Sequence, residues 1–415
     1  MGRVVPAALR VPLFRHVWLA TIGSNAGTWF QNVAAGWLVL VITDSPAAVG
    51  ALALLARGPA VVLATYAGHL ADRFDRRDVA IGSMLLQAAG AGGLAVVAAV
   101  TEPSVAVIYI STLVVGAGFA LGIPALLALI PTLVPKELFS QSVSLNAVGI
   151  NVARLAGPAL GGVGLVLFGA AVCFAINAAT FLLLVWALWR AGPRPAPAAH
   201  ERPSSREAYR FAFGDPAIRR LLLGMAIFTG LASSIQELAP AVADRLDAGA
   251  EGLGFLLGAM GGGALLGAFL LERVVSRGLP RSRALPLATL LFSVGFGLLA
   301  VAPGLGVALA AMAAAGVFWI WLFAGTNTAL QLRSPKELVG RMLGLYQLAV
   351  VAPIAIGPVA LGLLAEEVGI SWSLLLAAGL LALWGVWSLL NPVREIDVHL
   401  REGHAGPDIG RVSRG

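Results

Sequence analysis

Pro135-Lys136-Glu137-Leu138, leading on to Gly157-Pro158-Ala159-Leu160-Gly161-Gly162, is the stretch whose reading decides the architecture. It returns 200 residues later as Pro335-Lys336-Glu337-Leu338, Gly357-Pro358 and Gly362, and Leu145 meets Leu345 without a gap. Eight of the 28 aligned positions between 135–162 and 335–362 are identical. The same offset sets Leu70, Asp72, Arg73 and Arg77 against Leu270, Glu272, Arg273 and Arg277. The chain is thus a duplication, each copy carrying a charged loop and then a Gly-Pro segment. In an apolar protein, parallel repeats of this kind predict halves related by an axis along the membrane normal, which is the plan of a transporter.

Composition agrees. The 415 residues are 59% hydrophobic and 12% charged, with mean hydropathy +0.88. A soluble domain carries about 25% charged residues, and half of that leaves too little polar surface to face water on all sides. The apolar residues also come in runs of the length that crosses a bilayer, about 20 residues. The single cysteine, Cys173, excludes an intrachain disulfide and reads as a small buried thiol.

Apolar runs between charge and turn breaks predict an all-α membrane protein of twelve spans. Their limits are 16–42, 47–70, 78–100, 105–133, 142–167, 169–190, 218–242, 251–271, 283–303, 305–331, 342–365 and 370–391. Residues 1–190 form an N-terminal six-helix bundle and 218–392 a C-terminal one. The Pro-, Ala-, Arg- and Ser-rich segment 191–217 is a linker and 393–415 a polar tail. Of the 28 Lys and Arg residues, 25 fall in alternate connections and the two termini. The opposite connections hold only Arg245, and Arg57 and Arg154 lie inside spans. That asymmetry places both termini, the linker and the tail in the cytoplasm. It accounts for the net charge of +7 without nucleic acid. The N-terminus, with Arg3 and Arg10 but no small-residue cleavage site, reads as a lead-in to the first span.

After span 2 comes Gly68-His69-Leu70-Ala71-Asp72-Arg73-Phe74-Asp75-Arg76-Arg77. This loop resembles the signature Gly-x-Leu-Ala-Asp-Arg-x-Gly-Arg-Arg of the major facilitator superfamily, with Asp75 in place of the second glycine. The copy around Glu272, Arg273 and Arg277 falls between helices 8 and 9, as that family's second copy does. Physically, a carboxylate is stabilised near a helix N-terminus, so Asp72 is expected to serve the start of helix 11 near Gly340. Arg73, Arg76 and Arg77, with the second copy, would complete a latch that holds one conformation and releases in the other. The alternative is that these charges only anchor helix ends. Gly68 is expected to let two helices approach closely.

The segment with Arg154, Gly157, Pro158, Gly161 and Gly162 resembles the helix 5 motif of the proton-linked drug and enterobactin-type exporters of that family. Proline removes a backbone bond and glycine allows close packing, giving a pliable helix at the seam between halves. Ordinary small-residue packing is the plainer alternative.

Ionisable residues inside spans are costly and read as functional by default. Arg57, beside Gly58-Pro59, either faces a cavity or satisfies freed carbonyls or an internal acid. Glu237, the only acid placed inside a span, is the candidate proton carrier, because low dielectric favours the neutral form of a carboxyl group. The alternative leaves it solvated in an external loop with Asp244. Thr229, Ser233 and Glu237 share one helical face. Asn25, Trp29 and Asn32 in span 1, and Trp319, Phe323, Asn327 and Gln331 in span 10, form stripes that the family resemblance places on a central cavity. Packing or lipid contact is the other reading of these aromatics.

The resemblance implies a secondary active exporter of the prokaryotic inner membrane, working as a monomer. It would exchange protons for a drug-like or siderophore-like small molecule amid membrane lipid. A lipid-moving protein of the same fold is the alternative. A membrane enzyme is disfavoured: no His-Glu-x-x-His, Gly-x-Ser-x-Gly or Gly-x-x-x-x-Gly-Lys-Ser/Thr pattern occurs, so no metal, cofactor or nucleotide is expected.

Overall fold

The computed structural model describes residues 6–193, 205–276, 280–335 and 338–393. Its α-helices in chain order are α1 (Pro12–Thr43), α2 (Pro46–Val62), α3 (Ala64–Arg73), α4 (Arg76–Val100), α5 (Val105–Leu129), α6 (Phe139–Trp189), α7 (Ser205–Gly214) and α8 (Pro216–Ala232). There follow α9 (Ser234–Glu237), α10 (Ala239–Arg245), α11 (Gly249–Ser276), α12 (Arg281–Ala300), α13 (Leu305–Arg333), α14 (Val339–Val368) and α15 (Ile370–Leu390). Among the described residues no strand occurs.

Among the described residues, ten helices are long and apolar enough to cross a bilayer, and the bent pair α2–α3 makes eleven. The twelfth lies inside α6, where Gly169 has φ 77° and ψ 170°, a conformation that glycine adopts readily. The chain folds back there. A Cβ at Gly161 would touch Trp29 and Val33 on α1, while Asn177, beyond the turn, donates to Gln31 of the same helix at 2.6 Å. Gly369, between α14 and α15, has φ 84° and ψ 154°. The duplication at an offset of 200 therefore extends to the backbone angles of the two corners.

Twelve crossings bring Pro12 and Leu390 to the same end. Most Lys and Arg residues lie in connections at this basic end; the other is the far end. Local chemistry sets the boundaries. Pro46 opens α2 behind Ser45, whose side chain accepts from Ala48 N–H at 3.0 Å. Asp75 caps α4, accepting from Arg77 N–H at 2.8 Å. Its exchange for glycine in the signature loop thus installs a helix cap, a substitution that favours the helix start. Asp215 caps α8 in the same way.

The sequence predicts one unbroken span over 47–70. Instead, α2 and α3 meet at an angle of 53°. Pro59 contributes no backbone N–H, and the break follows it at Leu63.

Between the halves, the closest approaches run toward the far end. A Cβ on Gly50 of α2 would lie 2.3 Å from Pro358 O, and one on Gly362 of α14 would lie 2.6 Å from Pro46 O. One on Gly162 of α6 would lie 2.1 Å from Gly254 Cα on α11. These backbones touch because no side chain stands between them. The Ser45 hydroxyl donates to the Glu366 carboxylate across the same seam. At the basic end, α3 packs on α5, α2 and α4, all of its own half.

Gly68 makes no close approach to another helix in this state. A Cβ there, or at Gly340, would meet nothing within 4 Å. The tight approach in this region is Gly116 of α5 onto α2, where a Cβ would lie 2.5 Å from Ala56 O. Signature motifs mark where helices meet in some state of a protein, and in this one Gly68 borders open space.

Candidate functional site

A cleft, partly open to solvent, lies in the seam. The N-terminal half contributes Trp29 and Asn32 from α1 and Arg57 from α2; the C-terminal half contributes Gln236 and Glu237 from α9 and Leu257 from α11. Arg57 Nη2 and Glu237 Oε1 are 3.0 Å apart, with side chains 25% and 18% exposed. The two ionisable groups that the sequence marks separately are therefore one ion pair joining the halves. Low dielectric strengthens such a pair and makes loss of either partner costly.

The helix 5 motif shapes this cleft. A Cβ on Gly157 would fall 2.2 Å from Trp29 Cδ1, and one on Gly161 would fall 2.8 Å from Trp29 O. The two glycines seat α6 against α1 and press the indole toward the cleft. The repeat has its counterpart on the other side: Gly357 of α14 crosses α8 at Gly230, where a Cβ would lie 1.6 Å from the carbonyl oxygen. Pro158 and Pro358 are both buried beside these crossings.

The segment carrying Glu237 is interrupted. α8 ends at Ala232, Ser233 follows, and the backbone breaks step again at Leu238. Ser233 and Ser234 are buried with hydroxyl oxygens that lack a hydrogen-bond partner among the described residues. Thr229 is held by Met225 O at 2.9 Å and Ala349 O at 3.2 Å. Gln236, which periodicity does not single out, reaches the cleft and contacts Met260 Sδ at 3.3 Å. A signal for it existed: an amide adjoining an acid within an apolar span.

Other candidates lie elsewhere. Asn25 donates to Thr21 O at 2.8 Å, a bond within α1. Trp319 is only 8% exposed. It packs with its ring centroid 5.4 Å from Phe228 and 5.1 Å from Phe323, in a cluster that includes Phe292. Asn327 accepts from Gln331 at 2.5 Å.

In the signature loop, Arg76 donates to Ala128 O at 3.4 Å and Arg77 to Leu188 O at 3.2 Å. Both hold α4 to helix ends of its own half. Arg73 lies 5.9 Å from the Phe74 ring, and Asp72 is exposed. Glu272 and Arg273 belong to α11 and Arg154 to α6, but their side chains lie outside the described residues, as does Arg277 altogether. Lys336-Glu337 is outside them too.

Comparisons with known proteins converge on one group. The family described as transmembrane secretion effector matches residues 5–406. The enterobactin exporter EntS of Shigella boydii serotype 18 is 32% identical over 361 residues, 85% of this chain and 85% of its own. The EntS protein of Escherichia coli O157:H7 is 31% identical over the same length and shares. Among solved structures, a bacterial homologue of the human lysosomal transporter Spinster, inward-facing and unoccupied, superposes with TM-score 0.72 at 15% identity. The match covers 94% of this chain and 98% of that one. The nucleoside transporter NupG superposes with TM-score 0.69 at 12% identity, covering 91% and 98%. At such identities the structural likeness concerns the fold alone.

Proposed function

The chain belongs to the transmembrane secretion effector family of the major facilitator superfamily and is a secondary transporter; from that premise we propose that it exports an oxygen-rich, siderophore-like molecule from the cytoplasm in exchange for protons. The family and the relatives found are transporters, so the membrane-enzyme alternative falls.

The Arg57–Glu237 pair in the interhalf cleft carries the reading. Arg57 donates, Glu237 accepts, and Trp29 offers a ring face beside the amides of Asn32 and Gln236. Chelators of the siderophore class present hydroxyl donors and oxygen acceptors, which suits that mixture. A ligand hydroxyl donates more strongly to Glu237 when it is ionised. A proton on Glu237 weakens that acceptor and discharges the partner of Arg57. Substrate and proton then compete at a single carboxylate, which is the requirement for exchange in opposite directions.

The rest of the cycle follows from the seam. The halves 1–190 and 218–392 rock about the cleft, with the basic loops, the linker 191–217 and the tail 393–415 in the cytoplasm. In the present state the far end is closed at Gly50, Gly162 and Gly362, so the cleft is poised to load from the cytoplasm. The signature loop latches the basic end in the opposite state, bringing Asp72 to the start of α14. One chain supplies both walls of the pathway and works as a monomer.

The test is transport in everted membrane vesicles, with an iron-free catecholate chelator as substrate and an imposed interior-acid gradient. Uptake is expected to collapse with an uncoupler, and Glu237→Gln to lose gradient-driven uptake. Uptake indifferent to the uncoupler and unchanged in Glu237→Gln removes the proton mechanism.

A further inference from the structure

A second crevice opens at the basic end, inside the C-terminal half and away from the seam. It is partly open to solvent and lies between α8, α12, α13 and α15. Arg220 and Arg281 lie at its basic end, while Leu221, Met225, Phe228 and Leu322 line its apolar interior. It adjoins a shallow groove on the outer face of α8 and α15, bordered by Arg219, Arg220, Trp384 and Trp387.

These side chains are held in place. The Arg220 guanidinium lies 4.3 Å from the Trp387 ring centroid, and its Nη2 donates to Ser388 O at 3.5 Å. Trp384 and Trp387 lie 5.0 Å apart, inclined at 32°. Gly224 leaves room for Trp384, since a Cβ there would come 3.2 Å from the indole Nε1.

The charge is one-sided. Among the described residues, no Asp or Glu lines the crevice or the groove. Asp215, next to α8, is already occupied: it caps that helix and pairs with Arg333 at 2.8 Å. Arg281 and the Trp384 indole N–H lack an ion-pair or hydrogen-bond partner among the described residues.

We propose that this crevice binds an anionic phospholipid, with its phosphate at Arg220 and Arg281 and an acyl chain entering the apolar interior. Guanidinium groups take phosphate through paired N–H donors. Paired tryptophans at a helix end mark headgroup depth, and basic pockets between transmembrane helices suit acidic headgroups. A free inorganic anion would use the arginines but leave the apolar walls unfilled.

The experiment uses the purified full chain in a neutral detergent. Thermal unfolding is followed while phosphatidylglycerol, phosphatidylcholine or inorganic phosphate is titrated. Quenching of tryptophan fluorescence by phosphatidylglycerol brominated on its acyl chain is measured in parallel. Phosphatidylglycerol alone is expected to raise the Tm. Its half-saturating concentration should rise at least tenfold in Arg220→Gln/Arg281→Gln and stay unchanged in Arg283→Gln, whose side chain is exposed and outside the crevice. Trp384→Phe should remove much of the quenching while keeping the Tm response, which guards against a variant that simply misfolds. Equal responses to both lipids, an undiminished response in the double variant, or an equal effect of inorganic phosphate would each overturn the proposal.

Discussion

Gly162→Val tests whether the far-end closure is a contact of one state only. A Cβ at Gly162 would lie 2.1 Å from Gly254 Cα, against 3.4 Å for the near limit of ordinary contact. The obstacle is backbone, not the tip of a flexible side chain, so α6 and α11 must part by at least the missing 1.3 Å. Overpacking of this kind costs about 1–3 kcal/mol. The strain vanishes once the far ends separate. It therefore acts as a bias between states of about 5- to 150-fold and leaves the fold of each half largely untouched. The readout is cross-linking across the seam. Cys173 is the only cysteine, so Cys173→Ser gives a clean background for Ser45→Cys with Glu366→Cys, whose native side chains touch. A short bifunctional thiol reagent should join them quickly in the parent, and at least fivefold more slowly when Gly162→Val is added. An unchanged rate, with normal expression and Tm, would refute the assignment of this contact to one state.

Other expectations follow from the same geometry. Arg57→Ala alone should lower the Tm more than Arg57→Ala/Glu237→Ala, because the single change strands a carboxylate in the cleft; the reverse order would mean the pair is not coupled. Gly68→Leu should express and melt normally, since no neighbouring helix comes within 4 Å of its Cβ position, yet slow transport by blocking basic-end closure. A loss of Tm would show that Gly68 is packed in this state after all. Asn177→Leu breaks a buried bond to Gln31 and leaves that amide short of a partner. It should cost about 1–3 kcal/mol, read by thermal unfolding, while substrate affinity changes little.

Gly157-Pro158 and its copy illustrate what can be read from the chain alone. Their offset marks the two crossings on α1 and α8, and the repeat anticipates matching corners at Gly169 and Gly369. Apolar run length and charge spacing likewise delimit the spans, since both follow from the bilayer rather than from detailed packing. The pairing of Arg57 with Glu237 is of another kind. Each is conspicuous by itself, but periodicity relates residues within a helix and says nothing about which side chains meet across a seam. Gln236 escaped because a regular helix turns it away from Glu237, and the chain is not regular between Ser233 and Leu238. Trp319 shows the converse: a four-residue stripe marks a face, and only tertiary packing decides whether that face meets a cavity or, as here, Phe228 and Phe292.

The bend after Pro59 makes the second crossing an elbow whose two arms answer to different masters. Its outer arm is clasped by the opposite half through Gly50 and Gly362 as well as resting on α5, while its inner arm packs chiefly on its own half. Any swing of the halves must therefore either flex this joint or peel the clasp open. A joint already missing a backbone hydrogen bond yields first. Stiffening it, by restoring the N–H with Pro59→Ala, should convert a hinge into a strut and slow the turnover of a protein that otherwise folds and binds as before.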